Sequence, residues 1–242
     1  VSAYQVLGSE IMPQQTQVDR VIPKYLAFIE RFPTVAVLAQ ATLPEVLAHW
    51  QGLGYNRRGR YLRDAAVVVM ERFQGELPSE VALLTTLPGV GEYTAAAVRA
   101  FAFNRPSIVI ETNIRAVLLY LLHPGEQGVT DTVLRQELAL LQPTRDYRRW
   151  YAALMDYGSD LKRVAVYARV STSSEEQISS IENQTLYYTQ KIAETENWSL
   201  EDIYSDEGKS GTSLRKRDAF KRMMRDAKDQ KMDLIICASI SR

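Results

Sequence analysis

One cysteine, two histidines and no excess of either charge: the 242-residue sequence is poor in several of the usual sources of protein chemistry. With Cys237 alone, an internal disulfide, a multi-thiolate zinc site and an iron–sulfur cluster cannot be assembled within these residues. His49 and His123 are too few for a histidine-rich metal centre. No thiolate-bound or histidine-rich metal centre is therefore expected, and no cofactor, a nucleotide included, is read from these residues. Lys plus Arg (29) equals Asp plus Glu (29), which excludes a whole-surface basic field; any polyanion must be held by a local patch or by oriented backbone amides. No apolar run approaches the roughly 18 residues that span a bilayer, since Ala65 to Met70 stops at Glu71 and Arg72. The N-terminus has no basic segment ahead of an apolar core, so neither a membrane anchor nor a secretory signal is read here.

What is present is an ordinary globular balance, with 46% hydrophobic and 24% charged residues, which excludes disorder and collagen-like repeats. The length fits one or two compact units. From Gln17 to about Asp160 the pattern is helical: Val18, Val21, Ile22, Tyr25 and Ile29 recur at helix-face spacing, as do Val46, Leu47 and Trp50, then Leu62, Ala65, Ala66 and Val69. Turn chemistry interrupts it at Pro33, Gly52-Leu53-Gly54, Pro78, Pro88-Gly89, Pro106 and Pro124-Gly125. Near Lys162 the pattern changes. Residues 163–171 form a β-branched run that reads as a buried strand, followed by a helix over about 176–194, a strand at 200–204, a helix at 217–229 and a strand at 233–238. Alternating strands and helices imply a parallel sheet with crossover helices. The expected fold is therefore multidomain, an all-α domain over 1–161 and a partial α/β domain over 162–242. The sequence begins at Val1 and stops at Arg242 just after a strand-like run, which reads as a fragment of something longer.

The segment Leu87-Pro88-Gly89-Val90-Gly91-Glu92-Tyr93-Thr94 joins two helices by a tight corner, leaving backbone N–H groups uncovered at the second helix start. Such amides hold a phosphate without net positive charge. About twenty residues on, Ser107 to Arg115 places Glu111 and Asn113 at the mouth of a helix after an apolar entry. Near the start, Glu10 precedes an amide-rich corner, Pro13-Gln14-Gln15-Thr16-Gln17. With these landmarks and Gly52-Leu53-Gly54-Tyr55, residues 1–161 resemble the helix-hairpin-helix DNA glycosylases, in particular those that remove adenine mispaired with guanine or 8-oxoguanine.

The resemblance implies a monofunctional base-excision enzyme acting on double-stranded DNA, and with it a cytoplasmic, nucleoid-associated protein of prokaryotic type. It makes Glu10 the acid that protonates the departing adenine, since a carboxylic acid desolvated beside a flipped base can stay neutral. Glu111 stands where the family usually has Asp, as the carboxylate that shelters the oxocarbenium-like sugar, with Asn113 orienting it. Tyr93 stands where the lyase branch, represented by endonuclease III, has a nucleophilic lysine, which implies base removal without a Schiff base. Gln14, Gln15 and Tyr55 would enter the duplex around the vacated stack, and Gly89, Val90 and Gly91 would hold a phosphate. The family's four-cysteine cluster loop is absent.

In the second half, Arg169 and Ser171 sit two residues apart at a strand end, a guanidinium beside a hydroxyl that could attack a phosphodiester. With Asp206, Ser210 to Ser213, Arg217 and the terminal Ser241-Arg242, residues 162–242 resemble the catalytic domain of serine site-specific recombinases of the resolvase and large-integrase type. The resemblance implies Ser171 as nucleophile forming a phosphoserine link to DNA, Arg169, Arg217 and Arg242 around the phosphate, and Gln184 and Asp206 as polar support. The assembly helix and DNA-binding domains of that family are missing, so strand exchange is not expected, and an unpaired sheet edge invites self-association. Three functions stay open: a glycosylase carrying a passenger domain, a recombinase with an extension, and a catalytically silent DNA-binding fusion.

Overall fold

The computed structural model describes residues 2–169, 175–206, 217–229 and 231–238, with only the backbone described for Arg169, 175–180 and Ala238. Among them a helical run, α1 (Ala3–Ile11), α2 (Val18–Arg31), α3 (Val35–Gln40), α4 (Leu43–Trp50), α5 (Arg57–Phe73), α6 (Val81–Leu84), α7 (Glu92–Phe101), α8 (Thr112–Leu122), α9 (Asp131–Leu141) and α10 (Tyr147–Asp160), precedes an alternating segment: β1 (Lys162–Arg169), α11 (Glu175–Glu194), β2 (Trp198–Asp206), α12 (Asp218–Lys228) and β3 (Leu234–Ala238). The expected order, all-α and then a small parallel α/β segment, is the one observed. The chain forms two compact units, Val1–Val109 with Gln142–Tyr151, and Ile110–Leu141 with Ala152–Arg242. Helices α8 and α9 thus share a unit with the sheet.

In the first unit the helix starts are written locally. Ser2 with Gln5, and Thr42 with Glu45, form reciprocal capping boxes for α1 and α4, and Thr34 caps α3. The core gathers Phe28, Phe32, Leu38, Val46, Trp50, Leu62, Ala65, Val69, Leu84 and Val98, with Trp50 edge-on to Phe28 at 5.8 Å between ring centroids. Helix α1 is tied down by two tyrosines. Tyr4 donates its hydroxyl to the Phe32 carbonyl at 2.7 Å and Tyr25 to the Gln5 carbonyl at 3.0 Å. The expected apolar face of α2 is rotated from the sequence reading. Val21 and Phe28 are buried, whereas Val18, Ile22 and Leu26 lie outward in an i, i+4, i+8 row; a helix with apolar residues on more than one row leaves its facing to tertiary packing.

In the second unit the sheet order is β2-β1-β3, with both pairings parallel. Central β1 is buried continuously from Val164 to Ala168, as a strand covered on both faces requires. Val164 and Val166 pack with Leu200 and Ile192 on the α11 side, while Ala165 and Tyr167 pack with Tyr204 and Met223 on the α12 side. The register slips once: Val164 pairs with Leu200 but Ala165 pairs with Asp202, which makes Glu201 the extra residue of a β-bulge.

His123, at the end of α8, holds the following turn to α9. Its Nδ1 lies 2.9 Å from Glu126 and its Nε2 2.9 Å from Glu137. Two flanking carboxylates favour the doubly protonated ring, and the bonds to Glu137 and Glu126 raise its pKa above the ordinary value against a smaller effect of burial. A raised histidine pKa stabilises the fold fully below the unfolded value of about 6.5, and the contribution fades as pH climbs through the folded value. The melting-temperature gap between wild type and His123→Gln is expected to be largest near pH 5.5 and to shrink by pH 9; thermal melts across that range check it.

Candidate functional site

The corner after α1 is organised by one guanidinium. Helix α1 ends with carbonyls that have no partner within the helix, and Arg58, in the first turn of α5, supplies donors. Its Nη1 donates to the carbonyls of Ile11 (3.2 Å), Met12 (2.9 Å) and Gln14, and its Nη2 to Thr16 Oγ1 (2.9 Å) and the carbonyls of Leu53 (3.1 Å) and Gly54 (3.4 Å). Burial pulls its pKa below the usual arginine value. The same side chain stands 5.4 Å from the Tyr55 ring centroid. Trp50, buried beneath, donates its indole N–H to Gly54 at 3.1 Å. Gly52 and Gly54 take positive φ (89° and 70°), so the turn can double back over the indole.

The result brings three of the expected residues onto one surface of the first unit. Gln14 donates to Thr94 Oγ1 at 3.3 Å, which ties the corner to the first turn of α7. Gln15 is exposed with φ 59°, and Tyr55 is exposed with φ 45°. Glu10 occupies the last turn of α1 and is half-buried.

The hairpin before α7 closes through Val90 N–H donating to the Leu87 carbonyl at 3.1 Å. Pro88 at the second position and Gly89 at the third, with φ 75°, have the residue pattern of a type II turn. A side chain on Gly89 would also stand 2.7 Å from Tyr61 Cβ. Val90 is buried and anchors the corner. Gly91 is the N-cap of α7, carries no side-chain cap and faces open space. The first amides of α7 are therefore presented at a helix N-terminus whose dipole favours an anion. Tyr93 lies half-buried in that first turn.

In the second unit Glu111 is the N-cap of α8, and its Oε1 accepts the Ile114 N–H at 2.7 Å. One carboxylate oxygen is committed to the cap, which fixes the direction of the other. Asn113 follows in the first turn of α8, where α10 approaches very closely: a Cβ on Gly158 would stand 2.4 Å from the Asn113 carbonyl oxygen. The entry to α8 is held within the first unit, where buried Tyr151 accepts the Val109 N–H at 3.1 Å and donates to the Ser107 carbonyl.

At the sheet's C-terminal end, buried Asp206 accepts the N–H groups of Ala219 (3.2 Å) and Phe220 (3.1 Å) and the Tyr167 hydroxyl (3.1 Å), which brings it to the start of α12, where Arg217 is the N-cap. Gln184 lies on α11. Ser171, Arg242 and the Arg169 side chain lie outside the described residues. No cluster of three or more His, Cys, Asp or Glu able to hold a metal occurs among the described residues, and Cys237 on β3 offers one thiol. These residues do not fit a four-thiolate iron–sulfur cluster. No helix among them is long and apolar enough to cross a membrane.

Two residues were not singled out from the sequence. Arg58 sits in an arginine-rich stretch with Arg57, Arg60 and Arg63 that reads as a solvated helix face. Gly158 gave a weak signal: a glycine inside a helix costs about 1 kcal/mol relative to alanine, which close packing against a neighbour can repay.

Three substitutions test the geometry. Gly89→Ala is expected to destabilise by about 2–4 kcal/mol, from the left-handed backbone and the Tyr61 clash, and Gly91→Ala by at most about 1 kcal/mol; urea titrations compare them. Arg58→Met, which strips several carbonyls of a charged donor, is expected to cost about 1.5–3 kcal/mol on the same assay.

The family matches fall on either side of the change from helices to alternating strands and helices. Residues 164–242 match the family model described as Resolvase, N terminal domain. An adenine DNA glycosylase of Mycolicibacterium smegmatis is 42% identical over 160 residues, 66% of this chain and 55% of that protein. The Homo sapiens adenine DNA glycosylase is 40% identical over 148 residues, 61% of this chain and 27% of that protein. The chain spans about half the length, or less, of these curated relatives. Among solved structures, a thermostable thymine-DNA glycosylase (TM-score 0.59, 23% identity) and a non-covalent endonuclease III–DNA complex (TM-score 0.59, 20% identity) share the fold, each over 66% of this chain and 75% of the other. Residues 9–143, more than half of the sequence and inclusive of the polar corner, the hairpin and the α8 entry, match the HhH-GPD family model, and the chain belongs to the HhH-GPD superfamily of base excision DNA repair proteins.

Proposed function

We propose that this chain is a monofunctional DNA glycosylase that binds double-stranded DNA and hydrolyses the N-glycosidic bond of adenine paired with guanine or 8-oxoguanine. The observation that carries the reading is the 42% identity over 160 residues to a protein named adenine DNA glycosylase; in this chain it stands beside an acid at Glu10 and a helix-capping carboxylate at Glu111. The surface of the first unit suits a duplex. The α7 amides take a backbone phosphate without net charge on the protein, while exposed Gln15 and Tyr55, together with Gln14, enter the stack where a base has left. Flipping costs a few kcal/mol, which such side chains offset.

In this mechanism Glu10 donates a proton to adenine as the glycosidic bond breaks, so the base leaves neutral. The electron deficit moves to the sugar. The Glu111 oxygen not used in the helix cap lies against the oxocarbenium-like carbon and accepts a proton from the attacking water, which adds to that carbon. Holding the other oxygen on the Ile114 amide fixes the approach, and Asn113 in the same turn orients it. Tyr93 offers no amine, so the abasic product is released without a Schiff base.

The Resolvase match over residues 164–242 supports a second reading, a phosphoserine recombinase using Ser171 with Arg169, Arg217 and Arg242. One experiment separates the readings. A labelled duplex with a single A:8-oxoguanine pair, incubated and then heated in alkali, is expected to break at the adenine, with A:T duplex uncut. Glu10→Gln and Glu111→Gln should each slow that cleavage by about 10²–10⁴-fold. A covalent protein–DNA adduct lost in Ser171→Ala would favour the recombinase, and DNA binding with neither product a silent fusion.

A further inference from the structure

Helix α8 carries Glu111 at its N-cap, and strand β2 of the resolvase-like segment packs against it within the second unit. The contact is specific. Ser199, 1% exposed, donates its hydroxyl to the carbonyl of fully buried Ala116 at 3.2 Å. Two residues on, Glu201 Oε1 receives Arg115 Nη1 at 3.1 Å. Both partners are largely shielded, with side chains 14% and 24% exposed, and Arg115 also donates to Asp131 and to the Val129 carbonyl, each at 3.3 Å, so the pair belongs to a shielded network around one guanidinium.

Glu201 reaches α8 by way of the β-bulge. Leu200 and Ile203 stay in the layer with Val164 and Ile192 on either side of it, so the extra residue aims at α8 without shifting the strand's apolar face. Bulges re-aim side chains in this way. Two further contacts join the helical part to this segment: Asn197 N–H donates to the Tyr120 hydroxyl at 3.5 Å, and Gly125 lies so close to α11 that a Cβ would come within 2.9 Å of Thr189. Arg163 of β1, clamped to Asp233 through Nε (2.9 Å) and Nη2 (2.7 Å), also interacts favourably with the charges of both Glu201 and Glu111.

The neighbouring cleft of about 640 Å³, lined in part by Arg115, Glu201, Arg222, Asp226 and Lys231, has much of its charge paired internally, Arg222 with Asp202 and Lys231 with Asp226. It is a polar cleft open to solvent.

We propose that the resolvase-like segment is a working part of the base-excision domain: β2, through Ser199 and Glu201, is the surface that holds α8 and thereby sets the position of Glu111. Ser199 and Glu201 are positioning residues. The consequence for catalysis rests on the glycosylase reading; the packing role does not.

The test uses the full chain with Glu201→Lys, which sets a cation against Arg115, Glu201→Gln, which keeps the shape and an acceptor, and Ser199→Ala. Three readouts are taken: the single-turnover rate of adenine excision from the A:8-oxoguanine duplex, duplex affinity, and hydrogen exchange of the α8 amides from Ile114 to Leu119. Glu201→Lys is expected to slow excision tenfold or more with affinity within twofold, and to speed α8 exchange tenfold or more. Glu201→Gln should recover excision to within threefold of wild type. Should Glu201→Lys fail to fold, Ser199→Ala carries the test, with a smaller loss of rate and faster α8 exchange. Wild-type exchange in α8 for the folded variants would overturn the packing role, and faster exchange with unchanged excision would overturn its bearing on Glu111. If the wild type excises nothing, the glycosylase reading falls by itself, and the exchange data still decide the packing.

Discussion

The first turn of a helix has backbone N–H groups that no residue within the helix can satisfy, and the candidate chemistry of this protein is built on two such ends. At α7 the end is left bare, with Gly91 as a cap that has no side chain and Gly89 folding the preceding turn out of the way. An anion is the natural partner for such a surface. At α8 the end is closed by Glu111, whose Oε1 is spent on Ile114. The capping bond limits how the carboxylate can turn, and it lets a glutamate, one methylene longer than aspartate, hold a fixed position at a helix mouth. The same local physics thus yields a bare helix start that favours an anion in one unit and an oriented carboxylate in the other.

What surrounds each end has the task of keeping it still. In the first unit the work falls to Arg58, which collects carbonyls from the end of α1 and from the Gly52–Gly54 turn. A planar fork of N–H donors suits this, because it can serve several acceptors at once from one rigid group. Its removal from water is compensated by those acceptors and by the faces of Trp50 and Tyr55. In the second unit α8 is gripped from α10, where Gly158 permits near contact with Asn113, and from β2.

That second grip changes the meaning of the junction near residue 161. Viewed along the chain, the family matches fall on either side of it, 9–143 and 164–242. Viewed in space, helices from the first match and strands from the second form one compact unit with a buried hydroxyl–carbonyl bond and a shielded ion pair. A segment that bonds the Ala116 carbonyl and pairs with Arg115 contributes to the stability of the helix it covers.

The sequence by itself determined the class of each part. Helical periodicity, Pro and Gly corners and capping pairs such as Thr42 with Glu45 are local, and local energetics fix them before any long-range contact forms. The continuous apolar run of β1 announced a strand covered on both faces for the same reason. The landmarks at Gly89 and Glu111 were legible because turn and cap chemistry demand particular residue types at particular spacings, whereas Glu10 stood out only through the family resemblance. Tertiary structure alone decided which row of α2 faces inward, that Arg58 among four arginines of its stretch is the organiser, and that the bulge at Glu201 turns a strand residue toward α8. The first depends on α1 and α4, about 20 residues away in sequence, the others on groups 47 and 86 residues apart, Arg58 with Ile11 and Arg115 with Glu201, and no local pattern encodes which distant carbonyl or carboxylate will complete a given side chain.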